Sequence, residues 1–205
     1  LLIDRLEKEV KVSEDVVKAA AENTKDGIEM MNLLLDRRGD EVKMTEDIIK
    51  AAARNGEHGK ELMKLLLDRR GNEVKITEDI VKAAAANGKE ITKLLLDRRG
   101  NEVKITEAVV IAATKRFRVM ELLFERRNEE MKVTEEVVKA AARNGGTGHR
   151  VMELLFNQRN EEVKVTREVI EAALENMDIG DQVLKVLLKH RSKEGIVTEE
   201  DVKAA

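Results

Sequence analysis

The chain has no cysteine, no proline, no tyrosine and no tryptophan, and three phenylalanines are its whole aromatic content. Without cysteine there is no disulfide, no thiolate metal site and no cysteine nucleophile, and a reducing, cytoplasmic setting is the expected one. Without proline there are no Pro-rich linkers, which suits helices joined by short turns. With aromatics at 1 % against 42 % apolar residues, the core must be built from Leu, Val, Ile, Met and Ala. The chain also has little charge of one sign, because 38 Lys and Arg oppose 41 Asp and Glu for a formal net of -3. That balance, with no aromatic platforms for bases, argues against nucleic-acid binding. No stretch reaches the roughly 18 uncharged apolar residues of a membrane span, and no signal peptide is visible.

What is present is one phrase repeated. Lys-Met-Thr-Glu-Asp at 43–47 returns as Lys-Ile-Thr-Glu-Asp at 75–79, Lys-Ile-Thr-Glu-Ala at 104–108 and Lys-Val-Thr-Glu-Glu at 132–136. Ser13, Thr45, Thr77, Thr106, Thr134, Thr166 and Thr198 stand 32, 32, 29, 28, 32 and 32 residues apart. A period of this size predicts an all-α solenoid of about six stacked helix-turn-helix units of 28–32 residues, at 13–44, 45–76, 77–105, 106–133, 134–165 and 166–197. Half units fall at 1–12 and 198–205, so both ends read as cut from a longer array.

Residues 77–105 show how one unit works. Thr77 is placed to cap a helix, and Glu78 and Asp79 set negative charge at its positive end. Ile80-Val81-Lys82-Ala83-Ala84-Ala85 gives that helix a broad apolar stripe, with alanines that permit close approach of a neighbour. Asn87-Gly88 is expected to end it through left-handed backbone geometry. A second helix over about Lys89 to Arg99 carries Ile91, Leu94, Leu95 and Leu96, with Arg98 and Arg99 in its last turn and Gly100 as a left-handed stop. The connector Asn101–Ile105 alternates polar and apolar, so Val103 and Ile105 face inward. Ile105 and Val110 have the spacing of a hydrophobic staple. The same pair recurs at Val12/Val17, Met44/Ile49, Ile76/Val81, Val133/Val138, Val165/Ile170 and Val197/Val202.

The pattern Thr-x-x-x-Val-x-Ala-Ala, Asn-Gly, a Leu-Leu pair and an extended exit resembles an ankyrin-like helical repeat. Thr77-Glu78-Asp79-Ile80 stands where ankyrin repeats carry Thr-Pro-Leu-His, which speaks against their β-hairpin finger. Val133–Ala142 and Leu65–Thr77 also resemble the C-terminal repeat arrays of fungal NACHT-type, NLR-like signalling proteins. That resemblance implies a sensor or protein-interaction array attached to a nucleotide-binding switch module, and it carries over no catalytic residue.

Four features compete as sites. Arg5, Arg37, Arg69, Arg98 and Arg126 form one column, and Arg38, Arg70, Arg99, Arg127, Arg159 and Arg191 another; flanking Asp36, Asp68, Glu73 and Glu102 favour local ion pairing over phosphate binding. In the unit from Thr106, Ala108 replaces the acid found at Asp79 and Ile111 replaces Lys82. The loop after it, four residues shorter than in the longest units, carries Phe117 beside Arg118. Ala108, Ile111, Phe117 and Arg118 are therefore the candidate partner-binding residues. His58, His149 and His190 lie in separate units without convergent ligands, so no metal site is expected. Gly145-Gly146-Thr147-Gly148 lacks the Lys and Ser/Thr of a phosphate loop and reads as a turn.

No catalytic constellation is present, and neither an enzyme nor a cofactor is expected. The expected function is a non-catalytic scaffold that recognises a protein or peptide. The alternatives are a structural spacer that self-associates through its ends, a consensus-designed repeat scaffold, and nucleic-acid binding along the arginine columns.

Overall fold

The computed structural model describes residues 11–191, the side chain of Arg191 excepted. Arg5, Thr198, the Val197/Val202 staple and the half unit 198–205 lie outside the described residues. Among the described residues the protein is all-α, with twelve α-helices, a single 3-10 turn at Asn128–Glu130 and no strand. In chain order these are α1 (Glu14–Glu22), α2 (Gly27–Arg38), α3 (Glu46–Arg54), α4 (Gly59–Arg70), α5 (Glu78–Asn87) and α6 (Lys89–Arg99). There follow α7 (Glu107–Ala113), α8 (Phe117–Arg127), α9 (Glu135–Arg143), α10 (Gly148–Arg159), α11 (Arg167–Leu174) and α12 (Gly180–Arg191).

The chain divides into two compact units, Leu1–Val103 and Lys104–Ala205. In the first, α1, α3 and α5 pack side by side as one layer and α2, α4 and α6 as another, each odd helix also packing on the even helix that follows it. The second unit repeats the plan with α7, α9 and α11 over α8, α10 and α12. Helix pairs packed copy on copy in this way make an α-solenoid, as the period predicts.

Helices of seven to twelve residues are marginal alone in water, so each depends on the face it buries. In the odd helices that face is Ile48, Ile49, Ala51, Ala52 and Ala53 or its equivalents, and in the even helices Leu62, Met63, Leu66 and Leu67. Buried alanines at Ala52, Ala84, Ala113, Ala141 and Ala173 let successive odd helices approach closely. In the connectors Val74 and Ile76 are buried around exposed Lys75, and Val103 and Ile105 around exposed Lys104. The staple partners Val17, Ile49, Val81, Val110, Val138 and Ile170 are all buried.

Two expectations about helix ends are corrected. Gly39, Gly71 and Gly100 follow their helices with φ of -53°, -53° and -52°, in the right-handed region. Asn128 and Asn160 occupy the same place with similar backbone angles, so no left-handed residue is needed there. Asn87 is the last helical residue of α5, and Gly88, at φ 169°, is simply extended. After α1, α3, α9 and α11 an asparagine side chain takes over the hydrogen bonding of the turn, with Asn23, Asn55, Asn144 and Asn176 each accepting from two loop amides.

The shortening of the unit from Thr106 is also shared, where the sequence reading placed all of it in the loop. Relative to α3–α4, α7 is two residues shorter than α3, the connection one shorter, and α8 one shorter than α4. Glycine marks the difference. Gly148 and Gly180 begin the long even helices, and a Cβ on them would lie 2.4 Å from the carbonyl oxygen of Ala141 and 2.2 Å from that of Ala173. Gly88, in the shortened connection before α6, has open space around it.

Candidate interaction surface

Three rows of polar side chains run from copy to copy within each unit. The first is asparagine. Asn55, 4 % exposed, donates its amide to the carbonyls of Ala21 and Asn23 in the preceding copy, both at 3.0 Å. Its Oδ1 accepts from the loop amides of Glu57 and His58. Asn87 repeats the donation to Ala53 and Asn55, Asn144 donates to the Thr114 carbonyl at 2.5 Å, and Asn176 donates to Ala142. In the shortened copy the position belongs to Thr114, whose hydroxyl turns back on the carbonyl of Ile111 at 2.7 Å.

The second row joins cap hydroxyls to carboxylates. Thr45 donates to Glu14 at 2.6 Å, Thr77 to Glu46 at 2.6 Å and Thr166 to Glu135 at 2.8 Å, and Thr134 donates to Glu107. The same hydroxyls cap their own helices only weakly. Thr77, Thr106 and Thr134 accept from Ile80, Val109 and Val137 at 3.4–3.5 Å, beyond the usual hydrogen-bond range, and Ser13, Thr45 and Thr166 do not accept at all.

The third row is the second arginine column. Arg70 pairs with Glu73 at 2.5 Å and donates to the carbonyls of Gly39 and Val42 in the preceding copy. Arg99 does the same with Glu102, Gly71 and Val74, and Arg159 reaches Asn128. These guanidiniums satisfy carbonyls left open at helix C-termini. In the first column Arg69 pairs with Asp36 at 2.7 Å and Arg98 with Asp68 at 2.6 Å, again one copy back. The local pairing expected of the columns is thus present in the second, where Arg70 and Arg99 pair three residues on, whereas in the first Arg69 and Arg98 pair with acids of the preceding copy.

Charge shifts follow these pairs. The hydrogen bond from Arg70 holds the Glu73 carboxyl below its ordinary value, and Arg99 does so for Glu102 and Arg38 for Glu41. Burial opposes each of these shifts. The bond to Glu73 in turn raises Arg70.

Against this regularity the four candidate residues stand out in the second unit. Three odd helices, α3, α5 and α9, carry an acid–lysine pair on their outer turn: Asp47–Lys50 at 3.2 Å, Asp79–Lys82 at 2.8 Å and Glu136–Lys139 at 2.5 Å. On α7 that pair is replaced by Ala108 and Ile111, both half-buried. Phe117 is the first residue of α8, half-buried, with the guanidinium carbon of Arg150 over its ring, 4.1 Å from the centroid. Arg118 lies 6.0 Å from the same ring and pairs with Glu121 at 3.0 Å. The structure thus joins Phe117 to Arg118 and Arg150, while Ala108 and Ile111 lie on the helix before them. Arg150 is the residue the sequence reading missed; aligning the even helices on the register of Glu61 would have revealed it.

Other candidate features resolve simply. The amides of Gly146 and Thr147 point at Asn144 Oδ1, and the Asp178 carboxylate lies against Gly145, so this loop already holds negative charge. Among the described residues no group of three or more His, Cys, Asp or Glu could hold a metal ion, and no helix is long and apolar enough to cross a membrane. In the first unit the single-residue connection at Gly88 leaves an open groove of about 350 Å³, floored by Asn55 and Asn87 and edged by Lys60 and Glu90, which pair across it at 4.0 Å.

No curated protein and no solved structure matches the chain. A family model described as "Domain of unknown function (DUF7104)" matches six times in succession, at residues 1–31, 33–63, 65–91, 94–116, 122–152 and 154–183. With nearly its whole length spanned by these copies, the chain belongs to the DUF7104 family.

Proposed function

We propose that this protein is a non-catalytic repeat scaffold that recognises a protein or peptide in the cytoplasm, serving as the sensor array of a larger signalling protein of the NACHT type. The observation that carries this reading is the selective loss of regularity around α7 and α8. The core positions Val109, Val110, Val119, Met120 and Leu123 are as buried as their counterparts elsewhere. On the solvent side an ion pair gives way to Ala108 and Ile111, and Phe117 stands where α4 has Lys60 and α6 has Lys89. These changes leave the core positions as they were, and apolar residues rimmed by charge suit a contact surface.

Selection of a displayed peptide library against the chain tests the reading. Enriched peptides are expected to lose at least about tenfold in affinity on Ile111→Lys or Phe117→Ala, equal to about 1.4 kcal/mol. A library that yields no enriched sequence removes the proposal, and enriched peptides indifferent to both substitutions move the surface elsewhere.

A second reading is self-association. Met177 is 100 % exposed and Leu174, Met30 and Leu33 are each about 40 % exposed, more apolar surface than a polar repeat face requires. Light scattering across a concentration series separates it from ligand binding, since a mass that stays monomeric removes it. Nucleic-acid binding along the arginine columns is the less supported alternative, because Arg69, Arg70, Arg98, Arg99 and Arg159 are engaged within the protein.

A further inference from the structure

Aligned on their buried positions, the even helices carry Glu29 in α2, Glu61 in α4 and Glu90 in α6 at one register, the third residue of the twelve-residue helices and the second of the eleven-residue ones. At the same register α8 has Arg118 and α10 has Arg150, and α12 returns to the neutral Gln182. A carboxylate in the first turn suits the helix dipole, and an arginine there opposes it. The first turns of α8 and α10 contain no acid at all. Lys115 and Arg116 precede Phe117, so the reversal deepens into a cationic patch.

The carboxylates near this patch do not neutralise it. Glu121 pairs with Arg118, whose side chain is still 68 % exposed, and Glu153 is engaged by Lys189. Arg150 makes no ion pair among the described residues. Its guanidinium carbon instead lies over the Phe117 ring, 4.1 Å from the centroid, and the side chain is exposed. A planar guanidinium held against an aromatic ring and without an ion-pair partner is suited to bidentate capture of a carboxylate.

We propose that Arg118 and Arg150, organised around Phe117, form a docking surface for an acidic peptide segment whose Asp or Glu side chains meet the two guanidiniums. This rests on the peptide-recognition reading above and specifies its ligand chemistry. Charge complementarity selects the occupant. Two arginines on successive copies, ended by Gln182, suit a short acidic stretch. A nucleic-acid strand would require a longer cationic track and a free aromatic face, and Arg150 already lies over the Phe117 ring.

The test is fluorescence anisotropy of the full chain with three labelled probes: a Glu/Ser peptide, its Gln/Ser counterpart and an oligothymidylate. The Glu/Ser peptide is expected to bind and the Gln/Ser peptide not. Arg118→Glu with Arg150→Glu should weaken binding at least about tenfold with an unchanged melting curve. Lys64→Glu with Lys93→Glu, the same change of net charge at exposed sites in the first unit, should leave it intact. Equal loss in both double variants, or no binding of the Glu/Ser peptide, overturns the proposal. Tighter binding of the oligothymidylate through the same two arginines replaces it with a nucleic-acid site. Library peptides that bind the chain but ignore Arg118 and Arg150 sink this inference while leaving the scaffold reading in place.

Discussion

The pairs α3–α4 and α7–α8 are built on one plan with different amounts of chain. The longer pair has an asparagine at the turn, a glycine where the second helix begins, and paired charges on its outer face. The shorter has Thr114, Arg116 and the apolar pair Ala108 and Ile111 at those places. Their interiors nonetheless match, with Leu62, Met63 and Leu66 answered by Val119, Met120 and Leu123. Core packing and surface chemistry are therefore separable in this array. The interior tolerates little volume change, whereas the turn and outer face carry what varies between copies.

The sharpest way to break that comparison is in the core. Leu66→Ala and Leu123→Ala should each cost about 2–5 kcal/mol in denaturant unfolding, with similar losses. A much smaller loss at Leu123 would show that the shorter copy packs loosely. Next comes the turn. Asn55→Ala strips two amide bonds and leaves buried carbonyls unpaired, at about 1–3 kcal/mol, whereas Thr114→Ala removes one bond within its own helix, at about 0.5–1.5 kcal/mol.

Glycine gives a difference in sign. Gly148→Ala drives a methyl into the Ala141 carbonyl and should cost about 1–3 kcal/mol. Gly88→Ala meets open space and an extended backbone, and should stabilise by about 0.4–1 kcal/mol. Arg70→Lys keeps the charge but loses the planar fork that reaches Gly39 and Val42; a fall in Tm of about 2–4 °C is expected.

The smallest effect is that of pH. The carboxyls of Glu41, Glu73 and Glu102 titrate below the ordinary 4.5 in the folded chain because arginines hold them. Their contribution is fully present above the unfolded value and is lost as pH falls through the lower folded one. Tm should therefore decline on acidification below about pH 4.5, and Glu73→Gln with Glu102→Gln should flatten that decline. These carboxylates are exposed, so the change is modest and shrinks with added salt.

Much of this was legible in the residues alone. The hydroxyl spacing fixed the period, the staple pairs marked the helix starts, and the acids flanking each arginine announced local pairing. The asparagine row was not legible, because its acceptors are backbone carbonyls 30–34 residues earlier and periodicity does not say which neighbour a side chain meets. For the same reason Asn87-Gly88 looked like a left-handed stop, when Asn87 reaches to the preceding copy and Gly88 is extended. Phe117 and Arg118 could be found as departures from the repeat, but Arg150 follows a regular loop in a copy of full length; aligning the even helices shows its reversal of charge, and its contact with Phe117 comes from the fold.

The three polar rows share a direction. Within each unit the threonine hydroxyls, asparagine amides and arginine forks that link copies reach toward the copy before their own, and Thr114 of the shortened copy turns back on its own helix instead. Each full-length module within a unit thus carries its own fastener and needs from its predecessor only a standard set of carbonyls and carboxylates. Cutting one full-length module out, or splicing one in, would rejoin matching halves, so unequal recombination in the gene can change the number of modules without inventing a new joint.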